Sequence, residues 1–249
     1  MRVLSLGAGV QSSTLLLMTC EGELEVDVAV FADTQWEPAA VYAHLEWLES
    51  VSTVRIERVT HGDIRADTVA ATRFASLPFY VQQTTGAQGM GRRQCSKEYK
   101  IYPIRRWLRD HGATRTNPTT LLFGISLDEH QRMRDSDIRY AIHEYPLVDR
   151  RMTRGDCLLW LSMHGYPQPP KSACIGCPYR RNSEWRNLSP AEFADAADFD
   201  AAIRHQRGMR GEQFVHRSLT PLLEVDLRNQ QDRGQLEMFE EDCVGVCGV

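Results

Sequence analysis

An alternation of short apolar runs with segments of helical spacing is the feature that most constrains this fold. Residues 3–6 form an apolar run that turns at glycines, and residues 12–19 then have the pattern of a helix. Residues 26–31 are apolar without alternation, which is typical of a strand buried on both faces of a parallel sheet. Residues 39–49 have helical spacing, and residues 53–59 alternate like a third strand. This β-α-β-α-β order predicts an α/β fold with a five-stranded, doubly wound and mostly parallel sheet.

The later part of the chain extends this pattern. A fourth strand is predicted over residues 119–125, and helices are predicted over 97–110, 154–164 and 191–207. Residues 61–94 lack periodicity and contain scattered Gly, Gln and Thr, so we expect a mobile loop or lid there.

Composition excludes several classes of protein. The chain has 249 residues, a formal net charge of −4 and 42% hydrophobic residues, which is enough for one sizeable domain with an appendage. The apolar stretch at 28–32 is about five residues long, whereas a membrane span needs roughly 20, so an integral membrane protein is excluded. Residues 1–20 fit a strand, turn and helix better than a signal peptide. We therefore expect a cytoplasmic protein with reduced cysteines.

Charge is unevenly distributed along the chain. Residues 92–115 contain eight basic residues against Glu98 and Asp110, whereas the last 26 residues contain seven acidic residues against two arginines. A basic middle suits a phosphate-bearing ligand, although solvated helix faces would have the same composition.

A loop of small residues follows the first predicted strand and carries the first candidate site. Glycines allow a ligand to approach the backbone, and the following helix offers unpaired N–H groups and its positive dipole end to an anion. The candidate nucleotide-binding residues of this loop are Ser5, Gly7, Gly9, Gln11, Ser12 and Ser13. The loop lacks the lysine of a Walker motif, and a tight structural turn is the alternative.

Asp33 directly follows the second predicted strand. In an open parallel sheet, ligands bind beyond the carboxyl ends of the strands at the topological switch point. Asp33 is therefore expected beside the first loop, where it would hold Mg²⁺ or a nucleotide hydroxyl. A helix-capping role is the alternative.

Six segments, in order, resemble the phosphoadenosine phosphosulfate (PAPS) reductase family of the PP-loop, or adenine nucleotide alpha hydrolase, superfamily. They cover about residues 1–190. The segments are the loop at 5–13, Asp33-Thr34 with Glu37-Pro38, Cys95 with Lys100 and Pro103, Gly124 with Glu129 and Arg132, Pro146-Leu147-Val148-Asp149 as a strand before a helix, and Cys174-Ile175-Gly176-Cys177. The resemblance implies that this chain binds an adenine nucleotide, either ATP with Mg²⁺ or a sulfonucleotide, and that Lys100 and Arg132 contribute to the site. It also implies a nucleotide-binding domain over 1–190 and a helical extension with a mobile, cysteine-containing tail over 191–249.

The loop departs from the superfamily pattern at two positions. Typical ATP-pyrophosphatase loops read Ser-Gly-Gly-x-Asp-Ser, whereas this chain has Ala8 in the middle and Gln11 in place of the aspartate. The identity of the bound phosphate or sulfate group therefore stays open.

Three cysteines are candidate metal ligands. Cys174 and Cys177 have the Cys-x-x-Cys spacing that holds a metal or a cluster. By the family resemblance, Cys95 joins them in a [4Fe–4S] cluster, with one iron open or held by a residue of the C-terminus. A zinc site is the alternative for the Cys-x-x-Cys.

The C-terminal cysteines are candidates for catalysis. Cys247-Gly248 is similar to the mobile segment whose thiolate attacks the sulfonucleotide in PAPS reductases. Cys243 and Cys247 have three further possible roles: cluster ligand, persulfide carrier or disulfide pair. Cys95, Cys243 and Cys247 are thus the candidate catalytic residues, whereas Cys20 and Cys157 lie in apolar helical patterns and are expected in the core.

Three functions remain open at this point. The first is ATP-dependent thiolation of a nucleic acid or small molecule, with sulfur supplied by a cluster or a persulfide donor. The second is a sulfonucleotide reductase that releases sulfite and is regenerated by a thioredoxin-like reductant. The third is a zinc-stabilised, non-catalytic protein that binds nucleic acid through its basic residues.

Overall fold

The structure is a computed structural model that describes residues 1–71, 77–206 and 211–228. Its contacts divide the chain into two compact units. The first unit contains Met1–His61 and Ser96–Ser172, and the second contains Gly62–Cys95 and the described residues from 173 to 228. The predicted boundary at residue 190 stays a prediction.

Helices and strands alternate through most of the chain. The α-helices are α1 (Val10–Cys20), α2 (Ala39–Val51), α3 (Ile64–Ala70), α4 (Tyr102–Asp110), α5 (Pro146–Asp149), α6 (Arg154–Met163), α7 (Asn182–Arg186) and α8 (Pro190–Ile203). The strands are β1 (Arg2–Leu6), β2 (Val28–Asp33), β3 (Ile56–Thr60), β4 (Tyr80–Gln82), β5 (Gln88–Met90), β6 (Thr119–Phe123), β7 (Ala141–Glu144) and β8 (Glu212–Phe214). A π-helical segment, Ser96–Ile101, leads directly into α4.

A five-stranded sheet forms the centre of the first unit. Its strand order is β3-β2-β1-β6-β7, and every neighbouring pair is parallel. The predicted doubly wound, parallel sheet is therefore confirmed. β1 lies between β2, which follows it in sequence, and β6, which comes much later, so the switch point of the sheet lies between β1 and β6.

Hydrophobic cores cover both faces of this sheet because its strands carry apolar side chains on both sides. One core joins β1 to α1, α2 and α6, with fully buried side chains that include Leu4, Leu16, Leu45 and Leu161. The other joins β1, β2 and β6 to α4, with buried side chains that include Val3, Val30, Trp107 and Leu121. Cys157 belongs to the first core and is fully buried, as the sequence predicted. Cys20, at the end of α1, is half-buried instead.

Two expectations about local structure are wrong. Outside residues 72–76, which the structure does not describe, the expected loop at 61–94 contains α3 and two strands. α3 begins where the Asp63 side chain accepts hydrogen bonds from two backbone N–H groups of the first turn. The Pro-Leu-x-Asp segment, expected as a strand, forms α5, because Pro146 stands in the first helical turn, where proline is favoured. The strand in this part of the chain is β7, which comes before α5 and ends at Glu144.

The second unit has its own antiparallel sheet. β4 lies between β5 and β8, with Val81 opposite Gly89 on one side and opposite Gln213 on the other. α3 packs against α8, and Arg65 forms an ion pair of 2.8 Å with Asp195. In the part of the chain that the structure describes, no helix is long and apolar enough to span a bilayer.

Candidate functional site

The loop after β1 closes on itself at the first turn of α1. Ala8 has a φ of +52°, a left-handed conformation that is unusual for a residue other than glycine. The Ser12 hydroxyl accepts a hydrogen bond of 3.1 Å from the Gly7 N–H and donates one of 3.3 Å to the Gly9 carbonyl. Gly9 is the N-cap of α1, and no side chain caps it. The loop therefore presents the start of α1 without a capping side chain in front of it.

Gly124 brings the end of β6 against this same turn. A Cβ atom at this position would lie 2.7 Å from the Ser12 nitrogen and 2.9 Å from its Cα atom. Such distances are shorter than real Cβ contacts, so only glycine fits here without a backbone shift. Gly124, which the family resemblance singled out, thus allows the end of β6 to lie against this turn. We call the region at the carboxyl ends of β1 and β6, bounded by residues 7–13 and 124–132, the crevice.

Gln11 is the centre of a polar network at this crevice. Its amide nitrogen donates to Ser126 at 3.4 Å and to Glu129 at 3.2 Å, and its amide oxygen accepts from Arg154 at 3.0 Å. Glu129 in turn accepts a bond of 2.6 Å from Arg132. Both ends of the Gln11 side chain are therefore fixed, and this residue, which stands where typical ATP-pyrophosphatase loops have aspartate, links three separate segments.

Lys100 and Arg132, the two predicted phosphate-binding cations, both contact carboxylates. Lys100 Nζ lies 3.4 Å from Glu37 Oε1, and the Glu37 side chain is 1% exposed. Arg132 forms its ion pair with Glu129, and both side chains are largely buried. Lys100 comes from the π-helical segment before α4, and π-helical segments are frequent at functional sites. These ion pairs place both cations at the carboxyl edge of the parallel sheet.

Asp33, at the end of β2, is oriented by its neighbours. Its Oδ1 atom accepts hydrogen bonds from the Tyr42 hydroxyl at 2.9 Å and from the Gln35 N–H at 2.7 Å. Burial raises the pKa of the Tyr42 hydroxyl above its ordinary value, and the bond to Asp33 adds to this effect. Tyr42 therefore stays a hydrogen-bond donor at neutral pH and holds the Asp33 carboxylate in one orientation.

Ser13 faces the core rather than the loop. It is fully buried, and its hydroxyl lies 3.0 Å from His44 Nε2. Burial lowers the pKa of His44 to about 4, so its ring is neutral at physiological pH. The remaining predicted residue of this loop, Ser5, is half-buried within β1.

These residues assemble a polar crevice where an α/β sheet usually binds its ligand. Comparison with solved structures finds a phosphoadenylyl-sulfate (PAPS) reductase from Candida auris in a phosphate complex. The TM-score is 0.45 at 12% identity, and the match covers 68% of this chain and 74% of that chain. Neither the protein-family models nor the curated proteins searched match this chain.

The predicted metal-binding cysteines all belong to the second unit. Cys174 is buried, whereas Cys95 and Cys177 are half-buried. Among the residues that the structure describes, no three His, Cys, Asp or Glu side chains are grouped so as to hold a metal ion. The described residues alone therefore show no such group, and the cluster and zinc assignments stay predictions. Cys243 and Cys247 lie outside the described residues.

Arg180 holds the Cys-x-x-Cys turn, although the sequence did not single it out. The residue is 7% exposed, and its guanidinium donates to the carbonyls of Ala173 at 2.8 Å, Cys174 at 3.1 Å and Ile175 at 2.9 Å. The turn itself is closed by a bond of 3.1 Å from the Cys177 N–H to the Cys174 carbonyl. The position of an arginine three residues after the second cysteine was the signal that could have revealed it.

Arg154 and Tyr42 were also missed by the sequence analysis. Each lies in a helix that the sequence did predict, and each acts by contacting a residue that was singled out, Gln11 or Asp33. Such contacts join distant segments of the chain, so periodicity cannot reveal them. In chemical terms the crevice combines a helix N-terminus, cationic side chains and an oriented carboxylate, which suits a phosphorylated ligand.

Proposed function

We propose that this chain is an enzyme that binds an adenine nucleotide at the crevice between β1 and β6 and uses cysteine sulfur in a transfer reaction. The observation that carries the proposal is the close approach of Gly124 to the first turn of α1, because it places the end of β6 beside the N-terminus of that helix at the switch point. The order of the six sequence segments supports an adenine nucleotide over other phosphorylated ligands.

In the proposed reaction, ATP first activates an acceptor molecule. An oxygen of the acceptor attacks the α-phosphorus of ATP, and pyrophosphate leaves. The N–H groups of α1 and the nearby cations stabilise charge on the leaving group, and Asp33 would hold Mg²⁺ or a ribose hydroxyl. The terminal sulfur of a cysteine persulfide then displaces AMP from the acceptor, which becomes joined to the enzyme by an S–S bond. A second cysteine thiolate attacks that bond and releases the thiolated acceptor, and an external thiol reductant reduces the cysteine disulfide that forms. Cys95, Cys243 and Cys247 are the proposed sulfur carriers.

The proposed acceptor is a nucleic acid. Arg106 and Arg109 lie on the exposed side of α4, and Lys97 is exposed just before it. Cations on one helix face suit a phosphate backbone, because each neutralised phosphate releases counterions.

The test is to incubate the purified protein anaerobically with ATP, an RNA or DNA pool and a persulfide donor, and to measure AMP and incorporated sulfur. We expect AMP to form only when an acceptor is present, and we expect Cys95→Ser to abolish sulfur incorporation while nucleotide binding remains. Cys20→Ser is the matched control, because Cys20 lies at the end of α1 and has no role in the proposal. Sulfite release from a sulfonucleotide, without AMP from ATP, would identify a reductase instead. The absence of turnover and of nucleotide binding would contradict the proposal.

A further inference from the structure

Arg154 differs from the other cations of the nucleotide crevice. Lys100 and Arg132 each contact a carboxylate, Glu37 and Glu129 respectively. The Arg154 guanidinium instead donates to the neutral amide oxygen of Gln11 at 3.0 Å. Over the ranges that the structure describes, it forms no ion pair with a carboxylate. Its guanidinium therefore has no carboxylate of the described residues within ion-pair distance, and the acidic residue Asp128 contacts its backbone N–H instead.

The first turn of α6 fixes the position of Arg154. The side chains of Thr153 and Asp156 form a reciprocal capping box, and the Arg154 N–H donates to Asp128 at 3.0 Å. These bonds hold the backbone, so the guanidinium projects from a rigid point. A half-buried guanidinium that is held in place and forms no ion pair favours an anion.

Because the Gln11 amide is neutral, the charge of Arg154 stays available to a ligand. A carboxylate at this position, as in the typical superfamily loop, would lie within ion-pair distance of Arg154. The neutral amide orients the guanidinium equally well, but it does not cancel the charge. The other end of the amide is fixed by Glu129 at 3.2 Å, so the side chain cannot swing away.

We infer that Arg154 binds a tetrahedral oxyanion, phosphate or sulfate, of the ligand, and that Gln11 makes this possible. This inference rests on the proposed nucleotide site and specifies the ligand further. In the typical superfamily loop the second residue of α1 is a carboxylate, which would attract a cation. In this chain it is the amide of Gln11, which supports a subsite for an anion. Ligands are selected by the negative charge that they place beside Arg154.

The test measures dissociation constants for adenosine, AMP and ADP by calorimetry at fixed ionic strength. For Arg154→Gln we expect ADP affinity to fall by about tenfold, the size of one charged hydrogen bond, and adenosine affinity to stay unchanged. Arg154→Lys should retain part of the preference for ADP. Gln11→Glu, which has nearly the same shape, should reduce ADP affinity because it neutralises Arg154 and places a second carboxylate beside Glu129.

The matched control is Arg151→Gln, which removes the same charge at an exposed position three residues away. It should leave the dissociation constants of adenosine, AMP and ADP unchanged. Unfolding midpoints of all variants are measured in parallel. Gln11→Glu keeps the inference testable if Arg154→Gln does not fold.

Two results would overturn the inference. One is an Arg154→Gln protein that binds ADP as tightly as the wild type. The other is an equal loss of affinity for adenosine and for ADP, which would mean that Arg154 acts only on the structure. If the wild type binds none of the three compounds, the proposed nucleotide site fails, and the inference is then decided by inorganic phosphate and sulfate. Binding of either anion that depends on Arg154 would support it, and lack of binding would refute it. The same two anions, used as competitors of ADP, show whether the subsite prefers phosphate or sulfate.

Discussion

Single residues set the geometry of the crevice, and Gly124 is the one with the least freedom. Its neighbour across the crevice is backbone, because the Ser12 nitrogen would lie 2.7 Å from a Cβ atom at residue 124. Backbone cannot rotate away as a side chain can. The fold therefore requires glycine directly after β6.

Replacing Gly124 by alanine tests this requirement. We expect the free energy of unfolding to fall by about 1–3 kcal/mol, the usual cost of an overpacked site, and nucleotide affinity to fall as well. Gly89→Ala is the control, because a Cβ there meets no atom within 4 Å and φ is not in the left-handed region. Urea unfolding and calorimetry measure the two effects. Equal stability of the two variants would show that Gly124 does not lie in close contact with the Ser12 backbone.

His44 makes the stability of the first unit sensitive to acid. Its ring is buried, and burial lowers its pKa to about 4 from an unfolded value of about 6.5. Between these values the unfolded state binds a proton that the folded state does not, so stability decreases as pH falls from about 6.5 towards 4. By this linkage His44 costs about 2 kcal/mol between pH 7 and pH 5.

His44→Gln removes the titration and retains a partner for Ser13. We expect the variant to lose less free energy of unfolding than the wild type when pH is lowered from 7 to 5, as measured by urea titration at both values. His164→Gln is a suitable control, because His164 is exposed at the C-terminal end of α6. Identical pH dependence of wild type and His44→Gln would refute this account.

Among the elements, α6 connects the core to the crevice. It buries Cys157 and Leu161 against α1, and its first residue, Arg154, reaches Gln11. Burial raises the pKa of the Cys157 thiol to about 11, so this cysteine is protonated and unreactive at neutral pH. The start of α6 thus acts on the site, whereas its later turns stabilise the fold.

The capping box of α6 can be tested by Thr153→Ala. The Thr153 hydroxyl contacts Asp156 Oδ2 at 2.6 Å and accepts from the Asp156 N–H at 3.2 Å. Losing the cap should lower the free energy of unfolding by about 1 kcal/mol and weaken ADP binding, because the turn that holds Arg154 frays. Ser162→Ala, an exposed change of similar size in the same helix, should have little effect on either quantity. If the variant is less stable but binds ADP with unchanged affinity, Arg154 is held by other contacts.

The elements of the first unit were the most predictable from sequence. Its central strands β1, β2 and β6 are largely buried, so they appear as short apolar runs, and the glycine-rich turn after β1 marks the start of α1. The second sheet was missed for a physical reason. β4 and β5 are three residues each, and β4 obtains its other partner, β8, from more than a hundred residues later. Strands of three residues are too short to show a periodic pattern. A pairing between strands so far apart in the sequence also leaves no local sequence signal.

For the site, sequence identified the residues but not their contacts. Gln11, Asp33 and Arg132 were selected by their positions after strands and by the family resemblance. Their partners Arg154, Tyr42 and Glu129 come from other segments or other turns, and only the folded chain brings them together. The charge state of the crevice depends on these partners, so it could not be predicted from composition.

At the scale of the whole molecule, the two units carry different chemistry. The first contains the crevice with its helix N-terminus, its cations and Asp33, and the second contains Cys95 and the Cys-x-x-Cys turn that Arg180 holds. Among the described residues, both units are built from separated stretches of chain.

The most direct test of this account is amide hydrogen exchange with and without a saturating adenine nucleotide. Ligand at the proposed crevice should slow exchange in the segments that form it, namely residues 7–14, 33–38 and 124–132. Peptides from β3 and from the end of α2 should exchange at unchanged rates and serve as internal controls. Protection confined to segments outside the crevice, or no protection at all, would contradict the central claim that this chain binds a nucleotide between β1 and β6.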